Sequence, residues 1–242
     1  MTDRAVLQDL IDARLGGWNA IWESEYRERP EYLESIADLA TTPERVGALA
    51  PATRALVRLA LDAAVSHLHA DGMERAIREA LEAGASVQAI FETLMVSATI
   101  SVHGMNADIL AEVLAERGDP AATEPLGPKQ LAIRDEYTRV RGYWRDFLDE
   151  TLRLAPDFLA SYLAFSGAPW RIGMLEPKVR EFIYIAFDTS PTHLHLTGLR
   201  LHINQALDHG ATPEEIVEVM ALAGTMGLQS LKVGVPILHR LA

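Results

Sequence analysis

Two stretches decide the fold: Asp62-Ala-Ala-Val-Ser-His-Leu-His69 and Asp188-Thr-Ser-Pro-Thr-His-Leu-His195. They lie 126 positions apart, and the same ungapped shift lays Gly16-x-Trp18 on Gly142-x-Trp144, Pro30 on Pro156 and Leu49-x-Pro51 on Leu175-x-Pro177. Downstream it lays Gly72, Ala80-Leu81, Gly84-Ala85, Ile90 and Glu92 on Gly198, Ala206-Leu207, Gly210-Ala211, Ile216 and Glu218. So long a register without a gap means one folding unit written twice. The duplication is also an internal control: features in both copies belong to the fold, and features in one copy are candidates for chemistry.

The unit reads as helical. Leu56, Leu59, Ala60 and Ala63 recur at three-to-four spacing, as do Phe182, Tyr184, Ile185 and Ala186, and each run follows a proline suited to a first helical turn. Ser190 and Pro191 read as cap and first turn of a helix running to His209, closed by Gly210. Thr212-Pro-Glu-Glu215 opens the next helix with a capping-box pattern. Alternating strand patterns are missing, so the expectation is an all-α tandem duplication. A first unit covers residues 1–116, a linker 117–128 and a second unit 129–242, the linker being set by the proline-rich run Asp119 to Pro128. The segments 1–40 and 127–166 add a leading helical pair to each unit, and their Trp18, Trp22, Tyr26, Trp144 and Phe147 read as packing residues.

Composition narrows the function classes. The chain has 242 residues, 49% hydrophobic and 23% charged, the profile of a soluble globular protein with some apolar excess suited to subunit contacts. A net charge of -12 with no dense basic run argues against nucleic acid, whose phosphates need a cationic surface. No signal core follows the first residues and no segment reads as membrane-spanning, so no membrane partner and a cytoplasmic location are expected. The absence of cysteine removes disulfides, thiolate metal sites and thiol nucleophiles.

The internal control then singles out two positions. Glu181 and His202 stand where the first copy has Ala55 and Ala76. On a regular helix from Pro191 to His209, His195 and His202 project about 20° apart and share a face. His193 and His195 diverge by roughly 200° on that helix and would not chelate one ion together. Because the Asp-x4-His-Leu-His pattern is duplicated, its preferred reading is structural, with Asp62 and Asp188 tying one helix end to the next helix start. A zinc or iron site from His195, His202, Glu181 and Asp188 stands as the alternative. His103, which falls on Gln229 in the register, has no evident partner.

The run Leu175-x-Pro-Lys-x-Arg-Glu181, an apolar helix, then His202 and Ala206-Leu-x-x-Gly210-Ala-Thr-x-Glu-Glu-Ile216 resembles the carboxymuconolactone decarboxylase family, within the alkylhydroperoxidase D-like superfamily. The resemblance covers the core of both halves and is weaker in the first. It places the interval from Glu181 to His202 about two residues above the usual pattern, with the extra length around Ser190-Pro191. In the peroxidase branch two cysteines fall on the positions of His195 and Gly198, so a thiol peroxidase reaction is excluded here and a decarboxylase-like one is implied. The family reaction removes carbon dioxide from an unsaturated lactone carboxylate and leaves charge in the ring carbonyl, which needs no redox cofactor. The resemblance makes His202 the general acid/base, Glu181 its orienter or partner base and His195 a donor to a substrate oxygen. Arg180, Lys178 and His193 become candidate substrate-binding residues. It implies no cofactor, no resident metal, a small carboxylated lactone or aromatic-derived ring as substrate, and a homo-oligomer with a trimer favoured. A lactone hydrolase or isomerase, or a ligand-binding protein without catalysis, are the rival readings.

Overall fold

A computed structural model describes residues 3–104, 107–145 and 147–242. Among them the chain is helical, with no strand. The first copy runs α1 (Arg4–Arg14), α2 (Ala20–Glu28), α3 (Pro30–Val46), α4 (Pro51–Ala63), α5 (Ala70–Glu82), α6 (Val87–Ala98), a 3-10 turn (Thr99–Gly104) and α7 (Ala107–Glu116). After a short 3-10 turn in the linker, the second runs α8 (Pro128–Arg141), α9 (Phe147–Leu154), α10 (Pro156–Ser166), α11 (Ala168–Ile172), α12 (Pro177–Thr189), α13 (Leu196–Asp208), α14 (Pro213–Gly224), a 3-10 turn (Thr225–Leu228) and α15 (Gln229–Leu241). The bounds of α4, α5 and α6 plus 126 are those of α12, α13 and α14, so the repeat in sequence is a repeat in structure.

The starts of the helices follow local chemistry. Proline opens α4, α12 and α14, where its missing N–H costs nothing, and the Thr212 side chain and Glu215 complete the capping box. The helix expected from Pro191 forms only from Leu196. Ser190 instead closes a turn, its carbonyl accepting from the amides of His193 and Leu194, while the His195 amide bonds back to the Asp188 carbonyl. Leu194 takes φ +50° and Leu68, its counterpart, φ +45°. A left-handed leucine costs roughly 1–2 kcal/mol, so the surrounding packing must hold it.

The two copies do not form separate cores. Helices α4 and α12 pack side by side at the centre, α14 lies on α3, α6 on α11, α15 on α2 and α7 on α9. Thus each copy's closing helices cover the other copy's leading helices. One core mixes Leu56, Leu59 and Ala60 with Ile183, Tyr184 and Phe187, and the other mixes Val57 and Leu61 with Phe182, Ile185 and Val219.

Two buried ion pairs pin this exchange. Arg180 Nε donates to Glu92 Oε1 at 2.6 Å, and Glu92 Oε2 accepts the amides of Met174 and Leu175. The mirrored pair joins Arg54 Nε to Glu218 Oε1 at 2.5 Å, with Glu218 Oε2 on the amides of Ala48 and Leu49. Each carboxylate therefore holds the chain entering the other copy's central helix.

Trp22 is buried with Leu7, Ile11, Leu15, Leu33 and Ile36, and Trp18 and Tyr26 pack against that cluster, as expected of packing aromatics. Trp144 packs in the matching cluster of the second copy. The Phe147 side chain lies outside the described residues. The expectation that no segment reaches membrane-spanning length is corrected: Pro213–Leu241 is 29 residues of helix with mean hydropathy 1.3 in its most apolar window. Its first half carries Ile216, Val219, Leu222 and Ala223 of the protein core, so those apolar residues already have partners.

Candidate active site

Glu181 and His202 meet. Glu181 sits in the first turns of α12 and His202 in the middle of α13, and the packing of these helices brings Glu181 Oε2 to 2.6 Å from His202 Nδ1. Both are buried, with 1% and 5% exposure, which shields the hydrogen bond from competing water. Tyr184, one turn after Glu181, stacks on the imidazole at 4.4 Å between centroids, the planes 14° apart. With Nδ1 engaged by Glu181, Nε2 is the nitrogen left for chemistry, and His202 lines a cavity of about 40 Å3.

The other walls are residues that the sequence reading passed over. Arg141 ends α8, Tyr137 stands one turn before it, Tyr143 follows the left-handed Gly142, and Tyr162 comes from α10. The first copy contributes Val102 to the cavity, and its Thr99 carbonyl accepts the Tyr162 hydroxyl at 2.8 Å. Arg141 Nη2 donates to the Tyr143 hydroxyl at 2.7 Å and Nη1 reaches the Tyr184 hydroxyl at 3.4 Å. Its guanidinium also lies over Trp170, 4.5 Å from the ring centroid. No carboxylate forms an ion pair with Arg141 among the described residues, although it is buried. Burial opposes its charge, but the oxygens of Tyr184, Tyr143 and Tyr137 and the Glu181 carboxylate outweigh that and raise its pKa. Burial pushes the phenols of Tyr143, Tyr137 and Tyr162 up despite the nearby cation, so the cage is made of neutral hydroxyls around a fixed positive charge.

A signal for these residues was in the register. Arg141, Tyr137, Tyr162 and Tyr184 fall on Leu15, Ile11, Ile36 and Arg58, and Tyr143 falls on Gly17. Leu15, Ile11 and Ile36 are core residues of the first copy, so hydrocarbon stands there where the second copy has a cation and two phenols, and the pocket of about 110 Å3 that Leu15, Arg58 and Ala76 line lacks the imidazole and the tyrosines. The internal control, extended to the leading helices, separates these positions from the packing residues around them.

The remaining candidates lie elsewhere. Arg180 is committed to Glu92, and Lys178 Nζ donates to Glu215 at 2.9 Å, so neither lines the cavity. His195 caps α13 instead of sharing a helical face with His202, because the turn at Leu194 ends regular geometry before it. The same turn overturns the divergence expected of His193 and His195. Both rings come to Asp188, with His193 Nε2 at 3.6 Å and His195 Nδ1 at 3.8 Å from Oδ1. Burial lowers the His193 pKa, against the pull of the Asp188 charge. In the first copy His69 Nδ1 lies 3.1 Å from Asp62 Oδ1, the structural tie expected between helix end and helix start.

Comparison with known proteins agrees with this architecture. The family model for the carboxymuconolactone decarboxylase family matches residues 156–233, which hold α12, α13 and α14. A crystal structure at 1.70 Å of a candidate gamma-carboxymuconolactone decarboxylase subunit from Burkholderia xenovorans LB400 is 36% identical, covers 99% of this chain and 97% of its own, and superposes with a TM-score of 0.89. The chain belongs to the carboxymuconolactone decarboxylase family. No curated protein matches it. Membership of this family fits a cysteine-free site in which a carboxylate and an imidazole face a phenol-lined cation.

Proposed function

We propose that the protein is a cofactor-independent, decarboxylase-like lyase acting on a small carboxylated ring compound such as an unsaturated lactone acid. The observation that carries this is Arg141: a buried cation with phenol partners and no ion-paired carboxylate, facing a cavity that His202 also lines.

The direction of charge flow assigns the roles. As the C–C bond to the carboxylate breaks, its electron pair moves into the ring, carbon dioxide leaves, and charge collects on the ring carbonyl oxygen. A donor at the carboxylate end would stabilise the starting state, whereas one at the carbonyl end gains strength as the reaction proceeds. Arg141 and the Tyr143 hydroxyl suit the carbonyl oxygen. His202 Nε2 then delivers a proton to the ring carbon, and Glu181 on Nδ1 holds the imidazole in the plane that Tyr184 backs. The leaving carboxylate lies among aromatic faces, which favour the dispersed charge over the localised one. These roles replace those first assigned to His195, Arg180, Lys178 and His193.

The cavity of about 40 Å3 is far below the roughly 300–1,000 Å3 of small-molecule sites. A ring therefore enters only when the residues lining the cavity move apart. The test is release of carbon dioxide from a panel of carboxylated lactones, compared between the wild type, Arg141→Leu and His202→Asn. Carbon dioxide release that needs both residues supports the proposal. Hydrolysis or double-bond migration without carbon dioxide would replace it with the hydrolase or isomerase reading, and binding without turnover would leave a ligand-binding protein.

A further inference from the structure

We infer that the second copy's Asp188, His193 and His195 form a binding site for one divalent first-row transition ion, and that the first copy's equivalent cluster does not. This site is separate from the cavity of the proposed reaction and does not rest on that reading.

Three observations place the ligands. The turn closed at Ser190 and the left-handed Leu194 point both imidazoles at one carboxylate, so that one ligand atom from each residue lies within 4.8 Å of the others. Asp188 is 2% exposed and its Oδ2 has no hydrogen-bond partner among the described residues. Gly198 faces them, and a side-chain carbon there would collide with both Asp188 Oδ2 and His195 Nδ1. A buried carboxylate with two imidazoles is the donor set of zinc and of non-haem iron, and it leaves positions open for water.

One distance differs between the two clusters: His195 Nδ1 stands 3.8 Å from Asp188 Oδ1 where His69 Nδ1 stands 3.1 Å from Asp62 Oδ1, whereas His193 Nε2 at 3.6 Å and His67 Nε2 at 3.7 Å match. His193 Nε2 and His195 Nδ1 lie 3.6 and 3.8 Å from Asp188 Oδ1, beyond hydrogen-bond reach. Two ligands on one tetrahedral zinc, each about 2.0–2.2 Å from the ion, stand roughly 3.3–3.5 Å apart. The two distances to Asp188 Oδ1 lie close to that spacing, and all three ligand atoms lie within 4.8 Å of one another.

The first copy shows the same frame spent on hydrogen bonds. Asp62 Oδ1 accepts the Gln229 amide at 2.8 Å in addition to facing His69 Nδ1 at 3.1 Å. Lys232 Nζ stands 3.5 Å from His69 Nε2, where its charge opposes a second cation. In the register Lys232 corresponds to Asn106, which carries no charge, and Gln229 to His103.

The test uses untagged full-length protein, stripped with a chelator and titrated with zinc(II) by calorimetry and cobalt(II) by visible absorption. One ion per chain is expected, with cobalt bands of a low-coordinate nitrogen and oxygen site and a rise in melting temperature on adding zinc. Asp188→Asn should weaken binding by at least about 100-fold and abolish the temperature rise, whereas Asp62→Asn should leave both intact. Should Asp188→Asn not fold, His193→Gln reads the same loss from the more exposed side of the turn. No binding at tens of micromolar zinc, or equal loss in Asp62→Asn and Asp188→Asn, would overturn the assignment.

Discussion

Tyr184 lies flat against His202, ring centroids 4.4 Å apart, while its hydroxyl stands 3.4 Å from Arg141 Nη1. One side chain on α12 thus touches both the proposed proton donor and the proposed oxyanion partner. It also explains why the imidazole has a single orientation: Glu181 fixes it in the ring plane and Tyr184 fixes the plane itself. Replacing His202 with Asn or Glu181 with Gln should preserve the helical circular-dichroism spectrum and reduce turnover by about a hundredfold or more, the scale of losing an acid/base group. Tyr184→Phe keeps the stack and should cost less than about tenfold. Steady-state rates of carbon dioxide release read both, and a His202→Asn enzyme as fast as the wild type would refute the assignment.

Arg141 stands where the first copy has Leu15. Reproducing that residue by Arg141→Leu removes a buried charge that its surroundings favour and leaves the Tyr143 and Tyr184 hydroxyls without this donor. Stability should fall by about 1–3 kcal/mol, the scale of leaving buried polar groups without a partner. Turnover should fall by about a hundredfold or more. Urea denaturation checks the first and steady-state kinetics the second.

Breaking the clasp between the copies should act on stability alone. Glu92→Gln leaves Arg180 buried without its carboxylate and should cost about 3–5 kcal/mol, as should Arg54→Met at the mirrored pair. Neither residue lines the cavity, so kcat of the folded fraction should stay near the wild type while the unfolding midpoint drops.

The buried phenols imply an alkaline limit. Tyr137, Tyr143 and Tyr162 have pKa values raised above the usual 10.0, chiefly by burial. Below that value both folded and unfolded chains hold the protons. As pH rises past it, only the unfolded chain releases them, so stability is lost at up to about 1.4 kcal/mol per pH unit for each tyrosine. Urea midpoints should be level near neutral pH and fall steadily above about pH 10, with a shallower fall for Tyr162→Phe.

Helices α7 and α15 leave Ile109, Leu110, Val233, Leu238 and Leu241 exposed on the outside of the molecule. Apolar rows on closing helices of both copies suit burial in a homo-oligomer. Light scattering at micromolar concentration should give a mass above one chain, and Leu110→Glu with Leu238→Glu should lower it toward the monomer.

Much of the architecture was legible in the chain alone. The register, the prolines opening α4, α12 and α14, the capping box at Thr212 and the Ala55-to-Glu181 and Ala76-to-His202 differences were all visible there, because caps, periodicity and repeats are local properties of sequence. Tertiary structure alone decided that the copies interlock through Glu92 and Glu218, that Arg180 serves this clasp, and that Arg141 with three tyrosines completes the cavity. It also decided that His193 and His195 converge, since a left-handed Leu194 breaks the helix that periodicity would continue. These features depend on groups brought together from far along the chain and on a strained turn that packing sustains. Neither follows from neighbours in sequence: the energy that holds them comes from surfaces that exist only once both copies have folded onto each other.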